Sequence, residues 1–131
     1  MIIKAEKTSF PEVIGAVDSF LEKNDCPMKT QFQIDTAVEE IFVNIASYAY
    51  PSGEGNADIS ISLSDDRILC IRFSDNGIPF DPLSKEDPDV TLSAEERKIG
   101  GLGIYMVKKM MDKVEYEYKE KCNILTLYKQ I

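Results

Sequence analysis

Phe10, Ile14, Val17 and Leu21 recur three or four residues apart, the apolar stripe of an amphipathic helix. Ser9-Phe10-Pro11-Glu12 has the form of a capping box with an early proline, so a helix is predicted over 10–23 and Asn24-Asp25-Cys26-Pro27 ends it. Thr30-Gln31-Phe32-Gln33 offers a second capping box, and the helix it opens runs to Tyr50, where Pro51 stops it. Ala37, Val38, Ile41, Phe42 and Ile45 form its apolar face, which leaves Asp35 and Glu39 to solvent.

Beyond the turn cluster 51–56, Ile59, Ile61 and Leu63 alternate with serines, the period of a half-buried strand. Asp65-Asp66 turns the chain into a second strand over 67–74, with Leu69, Ile71 and Phe73 on one face and Ile68, Cys70 and Arg72 on the other. The two are expected to pair as a hairpin. Residues 81–99 carry Pro82, Pro88 and many charges and read as a long functional loop, in which Ser93-Ala94-Glu95-Glu96 caps a short helix. Ile104, Val107, Met110 and Met111 then predict a helix from Gly103 to Asp112. A closing hairpin over 113–119 and 123–130 turns at Lys121-Cys122-Asn123. This order implies an α/β (α+β) two-layer sandwich, with helices on one face of a largely antiparallel sheet. At 131 residues the chain fits a single domain spanning 1–131.

Composition removes whole classes of function. A net charge of −8, from 15 basic and 23 acidic residues, repels nucleic acid and anionic membranes at long range. No apolar run approaches membrane-spanning length, and the charged N-terminus is unlike a signal peptide. Cys26, Cys70 and Cys122 are odd in number and widely spaced, which suggests neither a disulfide framework nor a zinc site and fits a reducing cytoplasm. There is no histidine, so acid–base chemistry falls to carboxylates. An acidic chain can still bind a polyphosphate where Mg²⁺ and aligned backbone N–H groups cancel charge locally.

Three fragments carry candidate chemistry. On the long helix, Thr36, Glu40, Asn44 and Ser47 lie within an arc of about 80°. Asn44 is a hard oxygen ligand of the kind Mg²⁺ takes one or two of, and Glu40, one turn back, can accept a proton from an attacking hydroxyl. The same stripe also reads as a solvated helix edge. After the second strand, Asp75-Asn76-Gly77 could be a type I′ turn, but Pro79 and Pro82 make 78–82 a poor returning strand. Asp75 can instead accept a hydrogen bond from an exocyclic amine while Gly77 lets backbone approach a planar base, which suits adenine. Gly100, Gly101 and Gly103 precede a helix whose first N–H groups are unpaired, an anion pocket with Arg97 and Lys98 just upstream. Paired glycines also serve as hinges, and the run is neither a P-loop nor a Rossmann fingerprint.

With these boxes in this order, the chain resembles the histidine-kinase-like ATPase superfamily of gyrase, heat-shock chaperone, mismatch-repair and sensor-kinase ATP domains. It is most similar to the bacterial anti-sigma-factor serine kinases, on Ala37-Val38-Glu39-Glu40, Asn44, Ala49-Tyr50, the run from Asp75 through Phe80 to Pro82, and Gly100-Gly101-Leu102-Gly103-Ile104. The resemblance implies the Bergerat-type ATP-binding fold, Mg²⁺ and ATP as cofactors, and a lid over 81–99. By the same likeness Glu40 would be the catalytic base and Asn44 the Mg²⁺ ligand. Asp75, Gly77 and Phe80 would serve the base, and Arg97, Lys98, Gly100, Gly101, Leu102 and Gly103 the phosphates. It further implies transfer of the γ-phosphoryl group to a serine on an antagonist protein, with a sigma factor as the exchanged partner. A non-catalytic ATP-gated binding module and a simple ATPase are the alternatives. The oligomeric state stays open, a homodimer among the options. One departure stands out: many such kinases carry histidine four residues after the asparagine, where this chain has Tyr48.

Overall fold

The computed structural model describes residues 1–51, 53–84 and 101–131. Its elements in chain order are β1 (Ile2–Lys4), α1 (Phe10–Lys23), α2 (Met28–Tyr48), β2 (Asn56–Leu63), β3 (Ile68–Asp75), α3 (Gly101–Met110), β4 (Lys113–Lys119) and β5 (Cys122–Gln130). The strands form one open antiparallel sheet in the order β1-β2-β3-β5-β4, and the three helices pack on it. The α+β sandwich expected from the pattern is the observed fold.

The core lies between the layers. Val13, Val17 and Leu21 of α1 and Ile34, Ala37, Val38, Ile41 and Phe42 of α2 meet Leu69, Ile71 and Phe73 of β3 and Leu125 and Leu127 of β5. The alternation in β3 is the one read from sequence, because a period of two sends Leu69, Ile71, Phe73 and Asp75 to the same inner face. Asp75 therefore arrives at the end of the buried row, a carboxylate only 6% exposed.

Four local expectations need correction. α2 begins at Met28 with Pro27 as its N-cap, so Thr30 lies inside the helix and its capping box does not form. Pro27 holds φ at −59° and its carbonyl accepts the first helical bond from Gln31 N at 2.9 Å, which starts the helix three residues early. Ser9 likewise makes no side-chain cap. β1 was not legible at all, because three residues carry no period and its pairing of Ile3 with Ala57 is wholly tertiary. Asp35 faces the seam with α1 rather than solvent, its Oδ1 buried without a hydrogen-bond partner, as is Oδ1 of Asp18.

The turn between β4 and β5 falls on Glu120 and Lys121, at φ 53° and 65°. Asn123 is consequently a strand residue, in register with Asp75 across the β3–β5 pair. The hairpin of β2 and β3 is as expected, with Ile59 opposite Phe73 and Ile61 opposite Ile71. Past β3 the described residues 76–84 do not return as a strand.

Candidate nucleotide site

α2 does two jobs through one repeat. Its apolar positions fill the core, and the neighbouring stripe runs along the helix edge from Glu40 to Asn44 to Tyr48, about one residue per turn and about 6 Å apart along the axis. At the C-terminal end of this stripe, Asn44, Tyr48 and Ala49 form one wall of a cleft of about 460 Å³, its open mouth included. Asp75, Phe80, Tyr116 and Asn123 supply the rest of its polar and aromatic boundary, and Ile78 lines it beside them. The Asn44 side chain has no protein hydrogen-bond partner among the described residues, so its amide is available to a ligand.

Gly77 is where the cleft floor is drawn close to α2. A Cβ there would overlap the Ala49 carbonyl and come within 2.6 Å of the Ala49 Cβ, so only glycine permits the approach. The adjoining Ile78 N–H donates to that same carbonyl at 2.9 Å, giving one of the helix's terminal acceptors a partner. Gly77 N–H donates to Asp75 Oδ1 at 2.9 Å, an Asx turn in place of a hairpin turn. Tyr50 pins the outside of this loop. Burial pushes its phenol pKa up and keeps it protonated, so its hydroxyl donates to Asn56 O at 2.6 Å and accepts from Asn76 N–H at 2.9 Å.

Asn123, buried at 7% exposure, is the residue sequence reading passed over. Its Nδ2 donates to Asp75 Oδ1 at 2.9 Å and to Ile78 O at 2.8 Å, while its Oδ1 accepts from Phe80 N–H at 3.1 Å and from the Tyr116 hydroxyl. The only local hint was a polar residue beside an otherwise apolar alternation, and it looked like part of the turn. At the rim, the Tyr48 and Phe80 rings stand 6.4 Å apart and tilted, 55% and 38% exposed. Past Phe80, Asp81 caps the short turn Pro82–Ser84 by accepting from Leu83 N–H at 2.8 Å.

The opposite end of the stripe meets α3. A Cβ on Gly103 would collide with Glu40 Oε2, so the Glu40 carboxylate rests on the first turn of α3, where unpaired N–H groups and the helix dipole favour negative charge. Gly101 and Leu102 belong to that same turn. Arg97, Lys98 and Gly100, most of the expected lid over 81–99, and its capped helix at 93 lie outside the described residues. The structure thus gathers Asn44, Asp75 and Phe80 on one cleft, sets Gly77 behind Asp75, and joins Glu40 to Gly103 one turn of α2 away. Among the described residues there is no group of three or more acidic or cysteine side chains able to hold a metal ion. No helix among them is long and apolar enough to cross a membrane.

This fold, with a mostly apolar cleft between α2 and the end of β3 that holds Asn44, Asp75 and Asn123, defines a class, and residues 3–129 match the family model described as the histidine kinase-like ATPase domain. The chain belongs to that family, which makes a nucleotide its ligand class. Among characterised proteins it is 33% identical over 95 residues to serine-protein kinase RsbW of Listeria monocytogenes, covering 68% of this chain and 59% of that one. It is also 33% identical over 93 residues to serine-protein kinase RsbW of Bacillus cereus, covering 68% and 58%. The chain therefore spans less than two thirds of the length of these relatives. In fold it is similar to the histidine kinase domain of a blue-light activated histidine kinase from Erythrobacter litoralis. The TM-score is 0.60 at 15% identity, over 92% of this chain and 60% of that one.

Proposed function

We propose that this protein binds Mg²⁺ and ATP and transfers the γ-phosphoryl group to a serine of a partner protein, acting as a cytoplasmic partner-switching regulator. The observation that carries the reading is the α2 stripe, which puts Glu40 against the glycine-led start of α3 and Asn44 in the cleft that holds Asp75. Asp75 accepts the exocyclic amine of the base, and Tyr48 and Phe80 present aromatic faces to its ring. Asn44 fits Mg²⁺, which commonly takes one or two protein oxygens and completes its shell with water and phosphates. The ion would neutralise charge developing on the phosphate oxygens. The first turn of α3 receives phosphate oxygens on its N–H groups. The serine oxygen forms a bond to the γ-phosphorus, the bond to the bridging oxygen breaks, ADP leaves, and the serine proton passes to Glu40. The likeness to anti-sigma-factor kinases makes an antagonist protein the acceptor and a sigma factor the exchanged partner.

Labelled phosphate transfer from ATP to an antagonist protein tests this. Glu40→Gln is expected to lower transfer about a hundredfold or more while ATP affinity changes little. Asn44→Ala is expected to lose Mg²⁺-dependent affinity. An antagonist that is never phosphorylated although ATP binds would reject the kinase reading. Two observations favour a second reading, a non-catalytic ATP-gated binding module: no described residue lining the cleft is cationic, and Tyr48 stands where many such kinases have histidine. In that case partner affinity depends on ATP but no phosphate moves, and Glu40→Gln changes nothing.

A further inference from the structure

Asn123 belongs to no nucleotide box, yet it contacts three residues of the cleft floor, Asp75, Ile78 and Phe80. Its hydrogen-bonding capacity is spoken for. Both Nδ2 hydrogens are donated, one to Asp75 Oδ1 and one to Ile78 O, and Oδ1 receives two donors, Phe80 N–H and the Tyr116 hydroxyl. Those two donors fix which way the amide points. Reversing it would set Oδ1 against the Asp75 carboxylate and two amide hydrogens against two donors. Asp75 Oδ1 in turn takes Gly77 N–H and Asn123 Nδ2. Oδ2 has no protein partner among the described residues and is not sealed from solvent. Of the side-chain polar atoms of this buried pair, one acceptor alone is left to the cleft.

We propose that Asn123, held in orientation by Tyr116, is a positioning residue that sets base selectivity, by tying down one oxygen of Asp75 so that the other meets the purine 6-position as a fixed acceptor. The inference rests on the nucleotide-binding reading above and adds to it the residues that fix the acceptor. A terminal carboxylate torsion is broad, so an untethered Asp75 could rotate and pair with water or with a different edge of the base. Held as it is, it accepts from an amine. Against a 6-oxo purine, lone pair faces lone pair and a buried polar atom goes unpaired, which sites of this kind reject strongly. Tyr116 serves at second hand. Burial raises its phenol pKa, so across the neutral range it keeps the proton it donates to Asn123.

The test is a binding titration of the intact chain with ATP and with inosine triphosphate, which differs in carrying the 6-oxo group. Wild type is expected to prefer ATP by tenfold or more. Asn123→Leu should weaken ATP about tenfold, leave inosine triphosphate nearly unchanged and so collapse the ratio, whereas a merely structural loss weakens both alike. Tyr116→Phe, a milder change on the edge strand β4, should narrow the ratio by severalfold with the urea midpoint little altered, and it carries the test if the leucine variant does not fold. ATP binding with an unchanged ratio in both variants overturns this inference alone. A wild type that binds neither nucleotide overturns it together with the nucleotide-binding reading.

Discussion

At position 103 the difference between a hydrogen and a methyl group decides where the Glu40 carboxylate can sit, since a Cβ would overlap its Oε2. Alanine there should leave α3 intact and even raise its intrinsic helix stability by about 1 kcal/mol. Displacing Glu40 by roughly 1 Å should cut phosphotransfer on the order of a hundredfold. Circular dichroism and labelled transfer measured on the same preparation check this, and unchanged turnover would remove Glu40 from the reaction. Glu120 and Lys121 make the opposite case, two side chains in the left-handed region where Asn-Gly is preferred. Replacing Glu120→Asn with Lys121→Gly should stabilise the fold by about 1 kcal/mol, read as a higher urea midpoint, and no gain would mean the turn carries no strain. Single residues were legible from sequence where their chemistry is local. Asn44 and Glu40 share one helix edge, and the prolines after Asp75 argued against a hairpin. Asn123 was not, because the partner that explains it lies 48 residues away.

The seam of α1 and α2 shows what a helical wheel leaves out. Periodicity placed α1 at its observed bounds and α2 within three residues at its start and two at its end, but a wheel drawn for α2 alone puts Asp35 in water, and only the packed neighbour supplies Asp18. Burial first, then the close approach of the Asp18 carboxyl and the charge of Glu22, push the Asp35 carboxyl up to about 8 from 3.8. One proton between the two carboxyls explains two buried acceptor oxygens that have no donor. Cys26 also faces this group, and desolvation raises its thiol. The nearby cations are engaged elsewhere, Arg67 on the Asn24 carbonyl at 2.7 Å and Lys129 on the Met110 carbonyl at 2.6 Å. The folded state holds a proton here that the unfolded chain releases near its ordinary value. Stability contributed by Asp35 is therefore fullest in acid and falls as pH rises from about 4 to about 8. Asp35→Asn, a permanent donor to Asp18, should flatten that fall and raise the urea midpoint above pH 7. A wild-type slope in the asparagine variant would sink the shared-proton account.

Across the whole molecule, a ligand that binds only the folded state stabilises it by about 2.7 kcal/mol at a hundred times its dissociation constant. For a domain of this size that amounts to a Tm rise on the order of 10 °C. Mg²⁺ and ATP should produce such a shift in wild type and little of it in Asn44→Ala, with the two proteins melting alike when no nucleotide is added. An equal shift in both would take Asn44 out of the site. The sandwich itself was readable because helices of period 3.6 and strands of period two follow one another in an order few architectures accept. Sheet order and the β1 edge were not, since both are settled by which surfaces meet. That order has an outcome for biosynthesis. β5, last of the described strands to leave the ribosome, lies inside the sheet between β3 and β4 and brings Asn123 to Asp75. A nascent chain halted before Cys122 would hold α2 and the Asp75 loop but leave β4 unpaired and the pocket floor unlaced. Competence to bind nucleotide should therefore be acquired late and in one step, after translation has passed β5, rather than accumulating as the earlier motifs emerge.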